Sequence, residues 1–393
     1  MTTSPGPEHG PGSGEGPDSG HGRERPARPL RELAALFLKL GVIGFGGPAA
    51  HIAMMHEEVV RRRRWVDERR FVDLIGAVSL IPGPNSTELA IHLGYERGRW
   101  RGLLVAGVCF IVPAVVMVST LAWAYVRYGS TPEAEGLLYG IKPVVVGIIA
   151  WALVGLLRTA VRGPLLWCVA LAALAAYLAG ANELAVLAAG GLAVTAWRTA
   201  ARLRDGRAAV LPLLLAAPHD ERLPQLFWTM LKIGSVLYGS GYVLLAFLRG
   251  DFVERLGWLT EQQLLDAVSI GQVTPGPLFT TATFVGYLAA GWPGAVLATV
   301  GIFLPSFALV ALLTRLAARM RSARWSAALL DGVNATALAL MAGVSYQLGR
   351  EALVDPLTVV LAVATVLLLW RVRLNSAWLI GVGGAIGLAV RML

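Results

Sequence analysis

Hydrophobic positions gather in long runs along this chain of 393 residues, and short polar gaps separate the runs. Most runs approach the roughly 20 residues that a helix needs to cross a bilayer. The pattern therefore predicts an all-α polytopic membrane protein with about six apolar segments in each half. The segments cover 30–55, 72–95, 102–126, 136–157, 164–180 and 183–198, then 225–248, 264–289, 291–314, 326–349, 356–370 and 375–391.

The second half of the chain repeats the first at an offset of 193 residues, which falls to 192 after one deletion. Pro82-Gly83-Pro84 returns as Pro275-Gly276-Pro277 inside an equally apolar stretch. Other matched pairs are Lys39 and Lys232, Gly46 and Gly239, Trp65 and Trp258, Gly94 and Gly286, and Pro113 and Pro305. A duplicated apolar half with interrupted helices is typical of secondary transporters. We predict a disordered tail over 1–28, a first repeat over 29–198, a linker over 199–224 and a second repeat over 225–393.

The charges that flank the two Pro-Gly-Pro segments differ in sign. Arginines stand at 61–64, 69 and 70 before the first motif and at 97, 99 and 101 after it. Asp251, Glu254 and Arg255 precede the second motif, and the uncharged stretch 289–293 follows it. Cytoplasmic loops carry the excess of Lys and Arg, so the pattern predicts two inverted repeats. The two flanks of each motif indicate the same side of the membrane. This predicts a broken or re-entrant helix that enters and leaves the membrane on that side.

One point of topology stays open in the sequence. A full crossing by residues 30–55 places the basic tail outside, against the usual distribution of cations. A break at Phe45-Gly46-Gly47-Pro48 keeps the tail inside but requires an extra crossing near the linker.

Composition narrows the class of protein further. Hydrophobic residues make up 56% of the chain and charged residues 15%, and the net charge of +9 comes from arginines in loops rather than from a nucleic-acid surface. Cys109 and Cys168 lie in apolar runs, and the spacing of Cys and His predicts no metal and no cofactor. The usual hydrolase, zinc-protease and nucleotide-binding motifs are missing, which indicates a carrier driven by an ion gradient rather than an enzyme.

The Pro-Gly-Pro breaks are the first candidate binding site. Proline removes a backbone donor, and the helix that starts after the break presents free N–H groups to an anion. The candidate ligands are the N–H groups of Gly83 and Gly276 and the side chains of Asn85, Ser86, Thr87, Thr280 and Thr281. A plain kink, with the hydroxyls bonded back to carbonyls, is the alternative. Leu278 stands where the first repeat has Asn85, which favours one asymmetric site.

Further candidates lie near the breaks. Gly46 and Gly47, and Gly239, Ser240 and Gly241 in the second repeat, can bring backbone amides close to an anion or can simply allow close helix packing. Lys142 and its counterpart Asn334 suit a divalent oxyanion. Glu88 and His92 share a helix face and are candidates for proton coupling, with a structural pair as the alternative. His51 and His56, near the predicted interface, are weaker candidates.

At these motifs the chain resembles the chromate ion transporter family in its long, two-domain form. The resemblance covers residues from about 30 to 393, and the motifs that carry it include Phe45 to Pro48, Pro82 to Pro84, Gly140 to Pro143 and Gln272 to Pro277. It implies gradient-driven export of chromate across the bacterial cytoplasmic membrane, and chromate resistance. A carrier of sulfate, molybdate or another oxyanion, and an uncoupled anion channel, remain alternatives. The expected partners are the small oxyanion and the lipid bilayer, and a homodimer is left open.

Overall fold

A computed structural model describes residues 29–200, 221–238, 241–320, 324–372, 374 and 376–392. The described residues form helices and connecting turns without a strand, so the predicted all-α fold is confirmed. The predicted tail and most of the linker lie outside the described residues. The helices are α1 (Pro29–Ile43), α2 (Gly47–His56), α3 (Glu68–Val78), α4 (Asn85–Tyr128), α5 (Pro132–Ala160), α6 (Pro164–Leu178), α7 (Glu183–Ala200), α8 (Arg222–Val236), α9 (Leu244–Leu248), α10 (Glu261–Val273), α11 (Thr281–Met320), α12 (Arg324–Ala352), α13 (Pro356–Val372) and α14 (Ser376–Met392).

Several of these helices match the thickness of a membrane. Four stretches are long and apolar enough to cross one, at Asn85–Tyr128, Pro132–Ala160, Leu278–Thr314 and Ala328–Ala352. Shorter apolar helices follow in both repeats, at α6, α13 and α14. The predicted polytopic class is therefore confirmed.

The Pro-Gly-Pro motifs interrupt the helices as predicted from their chemistry. Residues 82–84 separate α3 from α4, and residues 275–277 separate α10 from a short 3-10 turn, Leu278–Thr280, that leads into α11. Gly83 has a φ of 137° and Gly276 a φ of 103°, a backbone region that side chains with a Cβ rarely adopt. The flanking prolines lack the N–H groups that a continuous helix requires, so each helix stops at the motif.

The two longest helices are tight hairpins. The backbone of α4 leaves helical geometry at Gly98 and Arg99, and that of α11 does so at Ala290 and Gly291. After the reversal at Gly98 and Arg99, the chain of α4 folds back so closely that a Cβ on Gly94 would collide with the carbonyl oxygen of Gly102. Each Pro-Gly-Pro motif is thus followed by a short helix, a reversal and a long helix.

The two repeats interlock rather than lying side by side. In the first repeat, α5 packs against α13 and α14 of the second, while α12 of the second repeat packs against α6 and α7 of the first. The hairpins α4 and α11 also contact each other, and α1 and α8 pack on the hairpin of their own repeat. Each repeat therefore supplies part of the other's core, and neither buries its apolar faces alone.

The equivalent helices α3 and α10 approach the α4 hairpin at different places. The start of the long arm of α4, residues 100–128, lies near the ion pairs of Arg70 with Glu96 and of Arg97 with Glu32. Its far end lies near α10, where the Tyr125 hydroxyl donates to Asp266. The arm is roughly 40 Å long at 1.5 Å per residue. Arg70 thus places α3 near the turn of the α4 hairpin, and Asp266 places α10 near the end of its long arm.

Candidate functional site

The helix breaks of the two repeats are joined by a reciprocal pair of hydrogen bonds. The Gly83 N–H donates to the Leu237 carbonyl at 2.8 Å, and the Gly276 N–H donates to the Gly44 carbonyl at 2.8 Å. Gly276 is the repeat counterpart of Gly83, and Leu237 is that of Gly44. The Pro-Gly-Pro break of each repeat is thus bonded to the Gly-rich break of the other, where the Gly-rich breaks are residues 44–48 and their counterparts 237–241.

A small cavity of about 30 Å³ lies where these breaks meet. Helical segments begin around it at Gly47, Asn85, Gly241 and Leu278, so the positive ends of their backbone dipoles point toward it. The volume holds about one water molecule and is too small for a tetrahedral oxyanion. The lining residues are Pro48, His51, Pro84, Asn85, Ser86, Gly241, Leu278 and Phe279.

The polar side of this cavity comes from the first repeat. Among the described lining residues, Asn85, Ser86 and His51 of the first repeat are polar, whereas Leu278 and Phe279 of the second repeat are apolar. The difference between Asn85 and Leu278 that the sequence displays therefore lies within the lining of one cavity. The first repeat thus supplies the described polar side chains that can orient an anion there.

His51 is the residue of this cavity that the sequence pattern undervalued. It is buried, its Nε2 lies 2.8 Å from the Gly44 carbonyl oxygen, and its Nδ1 lies 3.3 Å from Ser86 Oγ. The sequence placed it near the interface as a weaker candidate. The signal that could have raised it is its position one turn after the Gly-rich break, much as Ser86 stands two residues after Pro-Gly-Pro.

The structure distributes the other predicted ligands of the breaks unevenly. Thr87 and Thr281 are buried, and their hydroxyls have no hydrogen-bond partner among the described residues. The Thr280 hydroxyl donates to the Pro277 carbonyl at 2.8 Å, as the plain-kink alternative expects. Gly46 and Gly47 take positive φ values where α2 begins. Gly239 and Ser240 lie outside the described residues.

Lys142 does not lie at the central cavity. Its ammonium is 2.8 Å from Asp266 Oδ1, and the Tyr125 hydroxyl donates to Asp266 Oδ2 at 2.8 Å. The three side chains line a separate cavity of about 770 Å³ that also contains Gln262 and Glu351. The predicted role of Lys142 as a ligand of the anion beside the helix breaks requires a different conformation, because the Lys142 ammonium is paired here with the Asp266 carboxylate.

Asn334, the counterpart of Lys142, lies in another cavity of about 230 Å³. Asn85 and Tyr238 share this cavity, and the Tyr238 hydroxyl donates to the Leu80 carbonyl at 2.9 Å. Asn85 therefore lines both this cavity and the central one. Asn334 is near the first break, whereas Lys142 is held by α10 of the other repeat.

Glu88 and His92 face different surroundings although they share a helix. Glu88 is fully buried, and its carboxyl packs against Gly83 beside the Ser306 hydroxyl of α11. None of the ion pairs formed by the described residues includes Glu88. His92 lines a cavity of about 320 Å³ together with Arg70, Glu96 and Arg99. The pair thus extends from the first break toward one end of the molecule.

The two repeat-related lysines are bound by acidic side chains. Lys39 Nζ lies 2.8 Å from Glu58 Oε1, and Lys232 Nζ lies 2.6 Å from Asp251 Oδ2. Glu58 and Asp251 are also counterparts in the repeat. These ion pairs connect α1 and α8 to the helical turns that follow the Gly-rich breaks.

Comparison with known proteins identifies the family. The model of the chromate transporter family matches this chain twice, over residues 31–195 and again over 224–388. The chain belongs to the chromate transporter family. No solved structure matches it.

Curated members of the chromate transporter family are similar over most of the chain. A chromate transport protein of Cupriavidus metallidurans is 34% identical over 372 residues, which is 92% of this chain and 93% of that protein. A probable chromate transport protein of Synechococcus elongatus is 32% identical, covering 88% of this chain and 91% of its own. A chromate transport protein of Pseudomonas aeruginosa is 32% identical, covering 92% of each chain.

Proposed function

We propose that this protein is a secondary transporter that exports chromate across the bacterial cytoplasmic membrane and so confers chromate resistance. The observation that carries the proposal is the reciprocal hydrogen bonding of the two helix breaks around a small cavity lined by Asn85, Ser86 and His51 of the first repeat. The curated relatives of similar length are named for chromate transport, which supports the choice of this oxyanion.

The central cavity must widen to admit the substrate. When the two breaks separate, the Gly83 and Gly276 N–H groups lose the Leu237 and Gly44 carbonyls as acceptors. Oxygens of the dianion can replace those carbonyls, with Ser86 and Asn85 as further donors from the first repeat. Substrate binding and opening of the breaks are then one event, which is what alternating access requires of a carrier.

We further propose that the repeats are inverted across the membrane. Arg69 and Gln262 are repeat counterparts with exposed side chains, in the first turns of α3 and α10. In a variant without Cys109 and Cys168, a membrane-impermeant maleimide should label Arg69→Cys from the cytoplasmic side and Gln262→Cys from the outside. Labelling of both from one side contradicts inversion.

Glu88 is the proposed coupling group, with His92 leading from it toward the cavity of Arg70 and Arg99. A buried carboxylate without a cation is costly, whereas the neutral acid is tolerated, so exchange of its proton is tied to opening of the break. Glu88→Gln keeps the shape and should leave chromate exchange between equal concentrations intact. It should abolish stimulation of net flux by a pH gradient, and undiminished stimulation removes Glu88 from coupling.

The function is tested by chromate flux into inside-out vesicles or proteoliposomes, with and without a pH gradient. Saturable uptake that exceeds that of protein-free vesicles is the expected result. Transport of sulfate or molybdate with no movement of chromate would assign a different oxyanion to the same site. Flux that never saturates and follows only the gradient of chromate itself would identify a channel.

A further inference from the structure

The hydrogen bonds of His51 determine where its ring protons lie. A carbonyl oxygen only accepts, so the Nε2 atom that lies 2.8 Å from the Gly44 carbonyl carries a hydrogen. In a neutral ring, Nδ1 is then an acceptor, and the Ser86 hydroxyl 3.3 Å away donates its hydrogen to it. While the ring is neutral, the hydroxyl hydrogen of Ser86 is therefore donated to His51, and the Ser86 side chain cannot donate it to an anion.

Protonation of His51 reverses this arrangement. With a hydrogen on Nδ1, the ring donates to Ser86 Oγ, and the Ser86 hydroxyl is free to donate its own hydrogen into the cavity. We propose that His51 takes up one proton on Nδ1 when an oxyanion binds in the central cavity, and that Ser86 relays this proton's effect to the anion. The proton comes from water and leaves with the anion, and no bond of the anion changes.

This inference rests on the proposed function and specifies its central site. Among the described residues that line the cavity, His51 is the titratable side chain. Leu278 and Phe279, which the second repeat contributes to the described lining, are apolar and offer the anion no fixed cation. A dianion taken out of water needs a compensating charge. A proton on His51 offsets half of the charge of the dianion and leaves one net negative charge to be moved.

Charged groups on the neighbouring elements are engaged elsewhere. On α1, Lys39 holds Glu58, and at the end of α2, His56 holds Glu68 at 2.8 Å. On α4, Glu88 lies against Gly83 beside Ser306, and His92 lies in the separate cavity with Arg70. The ring of Phe110 packs edge-on against His51, with centroids 5.4 Å apart. These contacts leave His51 to respond to charge in the cavity.

The proposal predicts a pH-dependent affinity that depends on one residue. Equilibrium binding of chromate to the purified full-length protein should weaken about tenfold for each unit of pH above the range in which His titrates, because one proton is taken up. His51→Gln should lose this tenfold dependence and keep the dependence that comes from chromate's own titration and from Glu88. Ser86→Ala should bind chromate about tenfold more weakly at low pH, since the relayed donor is gone.

His56→Gln is the matched control, because His56 follows in the same helix and pairs with Glu68 away from the cavity. It should show the wild-type dependence on pH. Proton release or uptake measured with a pH-sensitive dye in weak buffer gives a second readout, and His51→Gln should take up one proton fewer than wild type. A His51→Gln protein that is folded, binds chromate and retains the wild-type proton uptake overturns the proposal. Absence of any chromate binding by the wild type instead refutes the proposed function.

Discussion

The ion pair of Lys142 and Asp266 gives the sharpest test of how this transporter is held together. The side chains are 10% and 4% exposed, and Asp266 is bound by Lys142 and by the Tyr125 hydroxyl, each at 2.8 Å. Lys142→Met removes the cation and leaves the carboxylate with the phenol alone. Breaking a buried pair in this way typically costs about 3–5 kcal/mol, because the remaining charge stays buried and uncompensated.

The double variant Lys142→Met with Asp266→Asn should recover most of that loss. The amide oxygen of Asn still accepts from Tyr125 and carries no charge to bury. We expect a coupling energy of about 2–3 kcal/mol from a double-mutant cycle of unfolding in detergent. Lys39→Met is the comparison, because Lys39 is 48% exposed and its partner Glu58 keeps Arg63. Its cost should stay near 1 kcal/mol.

Transport by the double variant then separates two roles of Lys142. Chromate flux that returns with stability shows that Lys142 serves as a structural link between α5 and α10. A stable but inactive double variant shows that the cation itself is needed by the substrate, as the sequence pattern proposed. A double variant no more stable than Lys142→Met refutes the reasoning from the buried pair.

Three further predictions follow from close contacts and charges. Gly276→Ala should destabilise the protein by roughly 2 kcal/mol and slow transport, because the φ of Gly276 is 103° and the added Cβ would lie 2.5 Å from the Ala114 Cβ. Thermal unfolding and chromate flux check this prediction. Gly76→Ala is the control, because a Cβ at Gly76 meets open space. Gly286→Ala should cost about 1–3 kcal/mol by forcing apart the α11 hairpin, and normal thermal stability contradicts that packing. Lys232→Met should destabilise more than Lys39→Met, since Lys232 is only 23% exposed, and a reversed order in melting temperature disproves the burial argument.

The helices themselves were predictable because their causes are local. The apolar run predicted over 136–157 is α5, and the run over 356–370 is α13. Proline interrupts a helix in any context, so the breaks at 82–84 and 275–277 also follow from the residues present. The reversal at Gly98 and Arg99 was expected as a polar gap between two segments, and the structure makes it a tight hairpin.

The candidate site was only partly predictable, since contacts across the repeats depend on distant residues. Asn85 and Ser86 line the central cavity, as their place after Pro-Gly-Pro suggested. Lys142 has a local sequence that suits an anion equally well, but α10 brings Asp266 to it from 124 positions away in the chain. The local signal at His51 is only its place one turn after the Gly-rich break, and its contacts with Gly44 and Ser86 exist only in the folded chain.

The sequence by itself determined the membrane class, the duplication, the family and the positions of the helix breaks. Each of these follows from hydrophobicity, from proline and glycine chemistry, or from repeated motifs, which act within a few residues or are visible along the chain. Only the tertiary structure decided which break meets which: Gly83 with Leu237, and Gly276 with Gly44. Those pairings arise from interlocked packing of two repeats, a collective property of many apolar contacts that no single stretch of the chain encodes.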